Sequence, residues 1–420
     1  MSSADTDSPY LAYVYLDMSR IRVLHVILSL CAEHGGPARV VQDLAKVLVE
    51  RSLAVNICTT VGDNESISDG VPKGVEIRSF KRSAFNAIWR GSASGLWEAL
   101  MEEVRRCDVV HIHELWHYPH FVVSQAARRL RKPYVVTLHG GLYPWCLAQK
   151  ALRKRIYSKL VQKRILEEAA AIHVLTDREE KHAREFGLAN KIICIPNGVR
   201  FEDFEALPPR AEIERTIPDL RDKLVIVWLG RIHPVKGLDL LASAFGELAA
   251  DREDVRLLLI GPDTEGYRSR LEALLGSRKA LRKTIFTGML LGREKLAALA
   301  RGDVFAFPSY SEGFPMALLE AMSCGIPAVV GSGSGFQEMA DRGAGVVANL
   351  NSGELAQALR QLLDAPELRQ QMGARARHLV QKEFAWDRIG ERMVELYESV
   401  VRGHRRRNEI QVRNNEYSRN

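Results

Sequence analysis

At 420 residues the chain is too long for one ordinary core, and two domains is the natural division. Hydrophobic residues make up 46% and charged residues 26%, which excludes a disordered or fibrous chain, and no apolar run approaches the ~20 residues that span a bilayer. The net charge is +7, and the six scattered cysteines form no Cys-x-x-Cys pair, which argues against a disulfide framework or a cysteine zinc site.

The first stretch, "MSSADTDSPY", is acidic and polar and carries no secretory pattern. Residues 1–20 are therefore expected as a disordered extension, and the protein as cytoplasmic. Asp5 to Asp7 imitate a metal-binding Asp-x-Asp, but no strand surrounds them, and no metal is expected.

A repeated unit follows: a short apolar run, a turn, then an amphipathic stretch. "RVLHVILSL" (22–30), "AVNICTTV" (54–61), "CDVVHIH" (107–113), "PYVVTLHG" (133–140) and "AAIHVLT" (170–176) read as strands. "RVVQDLAKVLVERS" and "YPHFVVSQAARRLR" read as helices, with Pro119 in the first turn of the second. The strands are apolar on both faces, as parallel strands covered by helices are. "KIICIPNGVRFEDFEALPPR" (191–210) breaks the pattern with an Asn197-Gly198 turn and a Pro208-Pro209 linker. The alternation then restarts with strands at "KLVIVWLG", "VRLLLIG", "KTIFTGM", "DVFAFPS" and "PAVVGS". The fold class is α/β, with two Rossmann-like, doubly wound domains facing across a cleft. The expected division is 21–204, 205–384, a helix over 385–402 that crosses back to the first half, and a basic tail over 403–420.

Ligands of open α/β sheets bind at the carboxyl ends of the strands. After the first strand, Gly35 and Gly36 allow a ligand close to the backbone, and Pro37 opens a helix whose N-terminus attracts anions. This is not the G-x-G-x-x-G fingerprint, which argues against a nicotinamide cofactor. In "LGRIHPVKGLDLL", Arg231 and Lys236 bracket a turn before a helix, which suits a diphosphate. In "SEGFPMALLEAM", Glu312 precedes a helix opened by Pro315, and Glu320 lies five residues on, about 7.5 Å along the axis at ~1.5 Å per residue. Carboxylate, helix N-terminus, carboxylate is an arrangement that fits a diphosphate between two hydroxyl-bearing rings, that is, a nucleotide sugar.

"GGPARVV", "VVTLHGG", "IPNGV", "LGRIHPVKG", "LLLIGPD", "FTGML", "SEGFPMALLEAMSCGIPAVV" and "GAGVVAN" occur in one order from about residue 22 to 347. In these stretches the chain resembles the retaining glycosyltransferases of family 4, which have the GT-B architecture. The resemblance implies that Glu312 holds hydroxyls of the transferred sugar and Glu320 those of the ribose. Arg231 and Lys236 would bind the diphosphate, and Gly35 and Gly36 would approach the donor phosphate and the acceptor side. His139 would line the reaction centre, and backbone near Gly288, Met289 and Leu290 would meet the base. Around Gly313 and Pro315, the N–H groups of Phe314 and Met316 would face sugar or phosphate. No cofactor or metal is implied. The acceptor would be a saccharide or a lipid-linked saccharide in bacterial polysaccharide or lipopolysaccharide assembly. A nucleotide-sugar hydrolase or epimerase would use the same donor site.

Two further stretches remain. "HELWH" (His113, Glu114, Leu115, Trp116, His117) matches the H-E-x-x-H zinc-hydrolase pattern, which requires a helix. A strand end at His113 and Pro119 just downstream both oppose one. "KALRKRIYSKLVQKR" (150–164) holds Lys150, Arg153, Lys154, Arg155, Lys159, Lys163 and Arg164 without an acid. It is expected to meet an anionic membrane, at the inner face of the cell membrane, with Leu152, Ile156, Leu160 and Ile165 as a partial apolar stripe. No nucleic-acid-binding module is recognised.

Overall fold

The computed structural model describes residues 21–31, 36–63, 65–67 and 73–417. The expected N-terminal extension and the Asp5–Asp7 stretch lie outside them, as does Gly35.

Two parallel sheets form the frame. The first contains β1 (Arg22–Val26), β2 (Ala54–Val61), β3 (Val75–Lys81), β4 (Val109–His113), β5 (Tyr134–Thr137), β6 (Ala171–Val174) and β7 (Ile192–Cys194). Its order is β3-β2-β1-β4-β5-β6-β7. The second contains β8 (Leu224–Leu229), β9 (Val255–Ile260), β10 (Thr284–Gly288), β11 (Val304–Phe307), β12 (Ala328–Gly331) and β13 (Gly345–Ala348), in the order β10-β9-β8-β11-β12-β13. Each sheet reverses winding beside its first strand, between β1 and β4 and between β8 and β11. That reversal opens a crevice at the strands' carboxyl ends. The central strands are buried along almost their whole length, which explains their unbroken apolar runs.

Several strands stop earlier than the apolar runs suggest. β5 ends at Thr137 because His139 turns into the left-handed region (φ 48°), although Leu138 N–H still reaches His173 O. The apparent break at 191–210 holds the short strand β7 and then a 3-10 turn at Phe201–Phe204.

The halves are joined twice at one place. Val199 N–H donates to Phe384 O at 2.8 Å, and Trp386 N–H donates to Val199 O at 3.2 Å. The Trp386 ring lies against Gly198, where an added Cβ would meet it at 2.4 Å. A helix then runs from Trp386 to Tyr417, so the stretch expected as a separate basic tail from 403 continues the helix. Ile389, Met393, Leu396, Tyr397 and Val400 of that helix pack with Val23, Val41 and Leu44 of the first half.

Gly198→Ala is expected to force the Trp386 ring aside and to lower unfolding free energy by about 1–3 kcal/mol, the range for overpacking a filled site. The urea midpoint of the variant against the parent measures it.

Candidate active site

The loops after β8 and β11 interlock. Gly237 (φ 66°) sits so close to Pro308 that an added Cβ would lie 2.0 Å from its carbonyl oxygen, and Tyr310 N–H donates to Val235 O at 2.9 Å. The one-turn helix Pro234–Lys236 between them is capped by His233 Nδ1, which accepts from Val235 N–H at 3.1 Å. Lys236 is thereby aimed at the end of β11. Its Nζ donates to Glu312 Oε1 at 2.6 Å, and Ser309 Oγ donates to the same oxygen at 2.7 Å. Glu312 is 9% exposed, so the pair is largely removed from water and the two charges hold each other. Arg231 is exposed and takes part in no ion pair among the described residues.

Pro315 caps the helix Met316–Ser323, and Glu320 lies inside it. Both its oxygens accept from Lys295 Nζ, at 2.9 and 2.8 Å. Lys295, on the helix Gly292–Ala300, was not singled out in the sequence. One expected donor is engaged, because Met316 N–H gives its hydrogen to Phe314 O at 3.1 Å. The tight backbone turn at Pro315 (φ −86°, ψ 75°) brings the two groups together. Leu318 and Leu319 N–H go to Pro315 O, whereas Phe314 N–H meets no acceptor among the described residues. The Phe314 side chain is core, edge-on to Phe336.

The halves touch at the same loop. A Cβ on Gly313 would stand 3.1 Å from Gly140 N and from His139 O. Gly36, at the start of the helix Gly36–Glu50, faces Met316, with its added Cβ 3.9 Å from Met316 Cγ. Gly288 ends β10 at φ 71°, and its carbonyl is already taken by Gly261 N–H and Thr287 Oγ. Met289 beside it is exposed, and Leu290 packs on the core.

Glu179 holds the His139–Gly140 turn. One of its oxygens accepts from Gly140 N–H and the other from Leu175 N–H at 2.7 Å, while Glu179 N–H donates to Thr176 Oγ1. The readable trace is Thr176-x-x-Glu179, a capping-box spacing whose glutamate here reaches across to the cleft. Burial pushes the Glu179 carboxyl up to about 7, against the two backbone donors that favour its anion.

Behind His139 lies a buried polar network. His173 Nε2 faces Ile195 O at 2.8 Å, a pure acceptor, so Nε2 carries the proton and Nδ1 accepts from Thr137 Oγ1 at 2.7 Å. Thr137 Oγ1 then accepts from His111 Nε2–H at 2.6 Å, and His111 Nδ1 accepts from Tyr397 O–H at 2.6 Å. Every group in this row is satisfied with neutral imidazoles, in keeping with the downward pull of burial on His111 and on His173, which falls to about 4.

The H-E-x-x-H helix is not formed. His113 ends β4, Glu114 and Trp116 have φ of 72° and 73°, and His117 caps the helix Tyr118–Arg129. His25, His111 and His113 bring ring nitrogens within 4.8 Å of one another. Both His111 nitrogens are spent at 2.6 Å. His25 and His113 stand 2.8 Å apart, a hydrogen-bond spacing. That is shorter than the roughly 3.3 Å between two nitrogens on a tetrahedral zinc with bonds near 2 Å.

Two family models match this chain. "Glycosyl transferase 4-like domain" covers residues 35–198 and "Glycosyl transferases group 1" covers 210–379. The chain is a GT-B glycosyltransferase. A D-inositol 3-phosphate glycosyltransferase of Kineococcus radiotolerans is 26% identical to it, over 91% of this chain and 96% of that one. A GDP-mannose-dependent monoacylated alpha-(1-6)-phosphatidylinositol monomannoside mannosyltransferase of Corynebacterium glutamicum is 32% identical, over 47% of this glycosyltransferase and 57% of its own length. The Anabaena protein Alr3699/HepE, solved with UDP and glucose, shares the fold with a TM-score of 0.74 at 18% identity, covering 90% of this chain and 100% of that one. The zinc-hydrolase and epimerase alternatives find no support in these matches.

The buried rings of this glycosyltransferase give a signed pH dependence. His25, His120 and His173 have pKa values lowered to about 3, 3 and 4, and His111 and His113 are also lowered. The unfolded chain therefore binds more protons below about pH 6.5, and stability falls as pH drops through that value. Each ring contributes up to about 1.4 kcal/mol per pH unit. Glu179 acts oppositely between its ordinary 4.5 and about 7, where the folded chain holds the extra proton. Urea titrations from pH 5 to 7 are expected to show stability rising with pH, and rising more steeply in Glu179→Gln.

Proposed function

We propose that this glycosyltransferase moves a sugar from a nucleotide-diphosphate sugar to a saccharide or lipid-linked saccharide acceptor, with retention of configuration and without metal, in bacterial surface-glycan assembly. The observation that carries the reading is the largely buried Lys236–Glu312 pair at the end of β11, next to Gly313 and its contact with His139 and Gly140. Glu312 offers its free oxygen to hydroxyls of the transferred sugar. Glu320 turns from Lys295 to the ribose, and backbone at Gly288, Met289 and Leu290 lies along the base. Arg231 and Lys236 meet the diphosphate, where charge grows as the bond to the anomeric carbon breaks. Gly36 and His139 close the other side. The acceptor hydroxyl attacks from the face that the diphosphate leaves, and its proton passes to the departing phosphate oxygen. The inositol-phosphate and phosphatidylinositol mannoside substrates in the two relatives' names support a glycolipid or phosphate-bearing acceptor.

A surface near the acceptor side supports membrane contact. Leu152, Ile156 and Leu160 are 73%, 54% and 73% exposed at i, i+4, i+8 spacing. Exposed Lys150, Arg155 and Lys159 lie beside them. Ile165 belongs to the core, and Lys154 is turned inward over the Trp116 ring, so neither joins this face. Apolar side chains ringed by cations match an anionic lipid surface. No helix among the described residues is long and apolar enough to cross a membrane.

Lys236→Ala is expected to lower kcat about 100-fold, as loss of one charge-stabilising group does. Glu320→Ala is expected to raise KM for the donor about tenfold, and chelator is expected to change neither constant. Initial rates with a panel of nucleotide sugars test this, and rates abolished by chelator sink the metal-free reading. Sedimentation with phosphatidylglycerol vesicles at low salt tests the lipid surface. Leu152→Asp with Leu160→Asp is expected to release the protein, and equal pelleting of parent and variant refutes that face.

A further inference from the structure

His139 has its tautomer decided from behind. Three imidazoles run end to end: His25 Nδ1 lies 2.8 Å from His113 Nε2, and His113 Nδ1 lies 3.4 Å from His139 Nε2. His25 and His113 are 0% and 1% exposed, and burial lowers the pKa of all three rings. Each ring is thus neutral and carries one N–H and one lone pair. The far end sets the direction. His25 Nε2 is buried and meets no partner among the described residues. A buried N–H without an acceptor is a rarer defect than an acceptor without a donor. The His25 proton therefore sits on Nδ1 and points at His113. His113 in turn donates from Nδ1 to His139 Nε2. His139 is left with its proton on Nδ1.

We propose that His25 and His113 are positioning residues that hold His139 as its Nδ1–H tautomer, so that His139 meets the donor sugar or its phosphate as a hydrogen-bond donor and not as a base. This rests on the reading that places His139 at the reaction centre. The opposite direction of the same row would give His139 a lone pair on Nδ1 and make it a proton acceptor there. The two directions therefore assign opposite roles to one ring.

The test begins with the unmodified protein. A long-range proton–nitrogen spectrum of 15N-histidine-labelled enzyme distinguishes the tautomers, with His139→Gln identifying the signal. The expected result is an Nδ1–H imidazole at His139, and an Nε2–H imidazole overturns the proposal. His113→Leu removes the donor, and is expected to shift the tautomer and lower kcat about tenfold or more, with donor KM within about threefold. His113→Asn places an amide N–H near the Nδ1 position and is expected to recover most of the loss. An unchanged tautomer in both His113→Leu and His25→Leu overturns the positioning role. An unchanged kcat in His139→Gln, with the tautomer as expected, overturns instead the placement of His139 at the reaction centre and the donor role with it.

Discussion

Two glycine backbones meeting across the cleft set the geometry on which the site depends. Gly313 and Gly140 approach so closely that a methyl group on either would press on the other's main chain. Each side of the contact is independently braced. Gly140 N–H is tied to Glu179, and the loop before Gly313 is tied through Glu312 to Ser309 and Lys236. A second join lies at Val199 and Phe384, with Trp386 on Gly198. Arg178 adds a third link, donating to Gly333 O from the first half at 2.9 Å. The halves are thus registered at several points, and His139 is delivered beside Glu312 by backbone contacts and not by its own side chain.

The charges follow a common plan. Glu312 and Glu320 are each paired with a lysine, one nearly buried and one partly exposed. An unpaired buried carboxylate would be costly, and two of them would repel a diphosphate. With Lys236 and Lys295 in place the two carboxylates leave little net negative charge, and Arg231 takes part in no ion pair among the described residues. The lysines can share their protons with an incoming anion without leaving the carboxylates, since an ammonium has three donors. In the proposed donor site, this reconciles two acidic residues with an acidic ligand.

Most of the frame was legible because the central strands are buried on both faces and read as continuous apolar runs. β3, "VEIRSFK", escaped notice because it is an edge strand with alternating and charged residues. β7 is only three residues long and is hidden in a stretch of turn residues. The resemblance placed Glu312, Lys236 and Gly313 in the site, and the structure brings them together. It could not show that Met316 N–H is turned back on Phe314, because that depends on the backbone angles at Pro315. Lys295 and Glu179 were unread for a shared reason. Each acts on a residue of another element, and no periodicity within its own helix marks the contact. Glu179 left the faint trace of a capping box, and Lys295 left none.

The histidines show where sequence reading ends and geometry begins. His25, His111, His113, Thr137 and His173 come from the four neighbouring strands β1, β4, β5 and β6, and no local spacing relates them. Once stacked, they have little freedom. The Ile195 carbonyl fixes one end of the row through His173, Thr137 and His111, and the row ends on Tyr397 of the C-terminal helix. That helix follows the second half in the chain, yet its hydroxyl completes a network inside the first. Thr137 sits two residues before His139, so the same row that seats the helix also holds the strand that presents His139 to the cleft. Reordering any proton in it would leave two buried donors or two buried acceptors facing each other, which low dielectric makes expensive. The network is therefore kept neutral and directional by its own closure, and the seating of the C-terminal helix and the position of His139 are two consequences of one set of bonds.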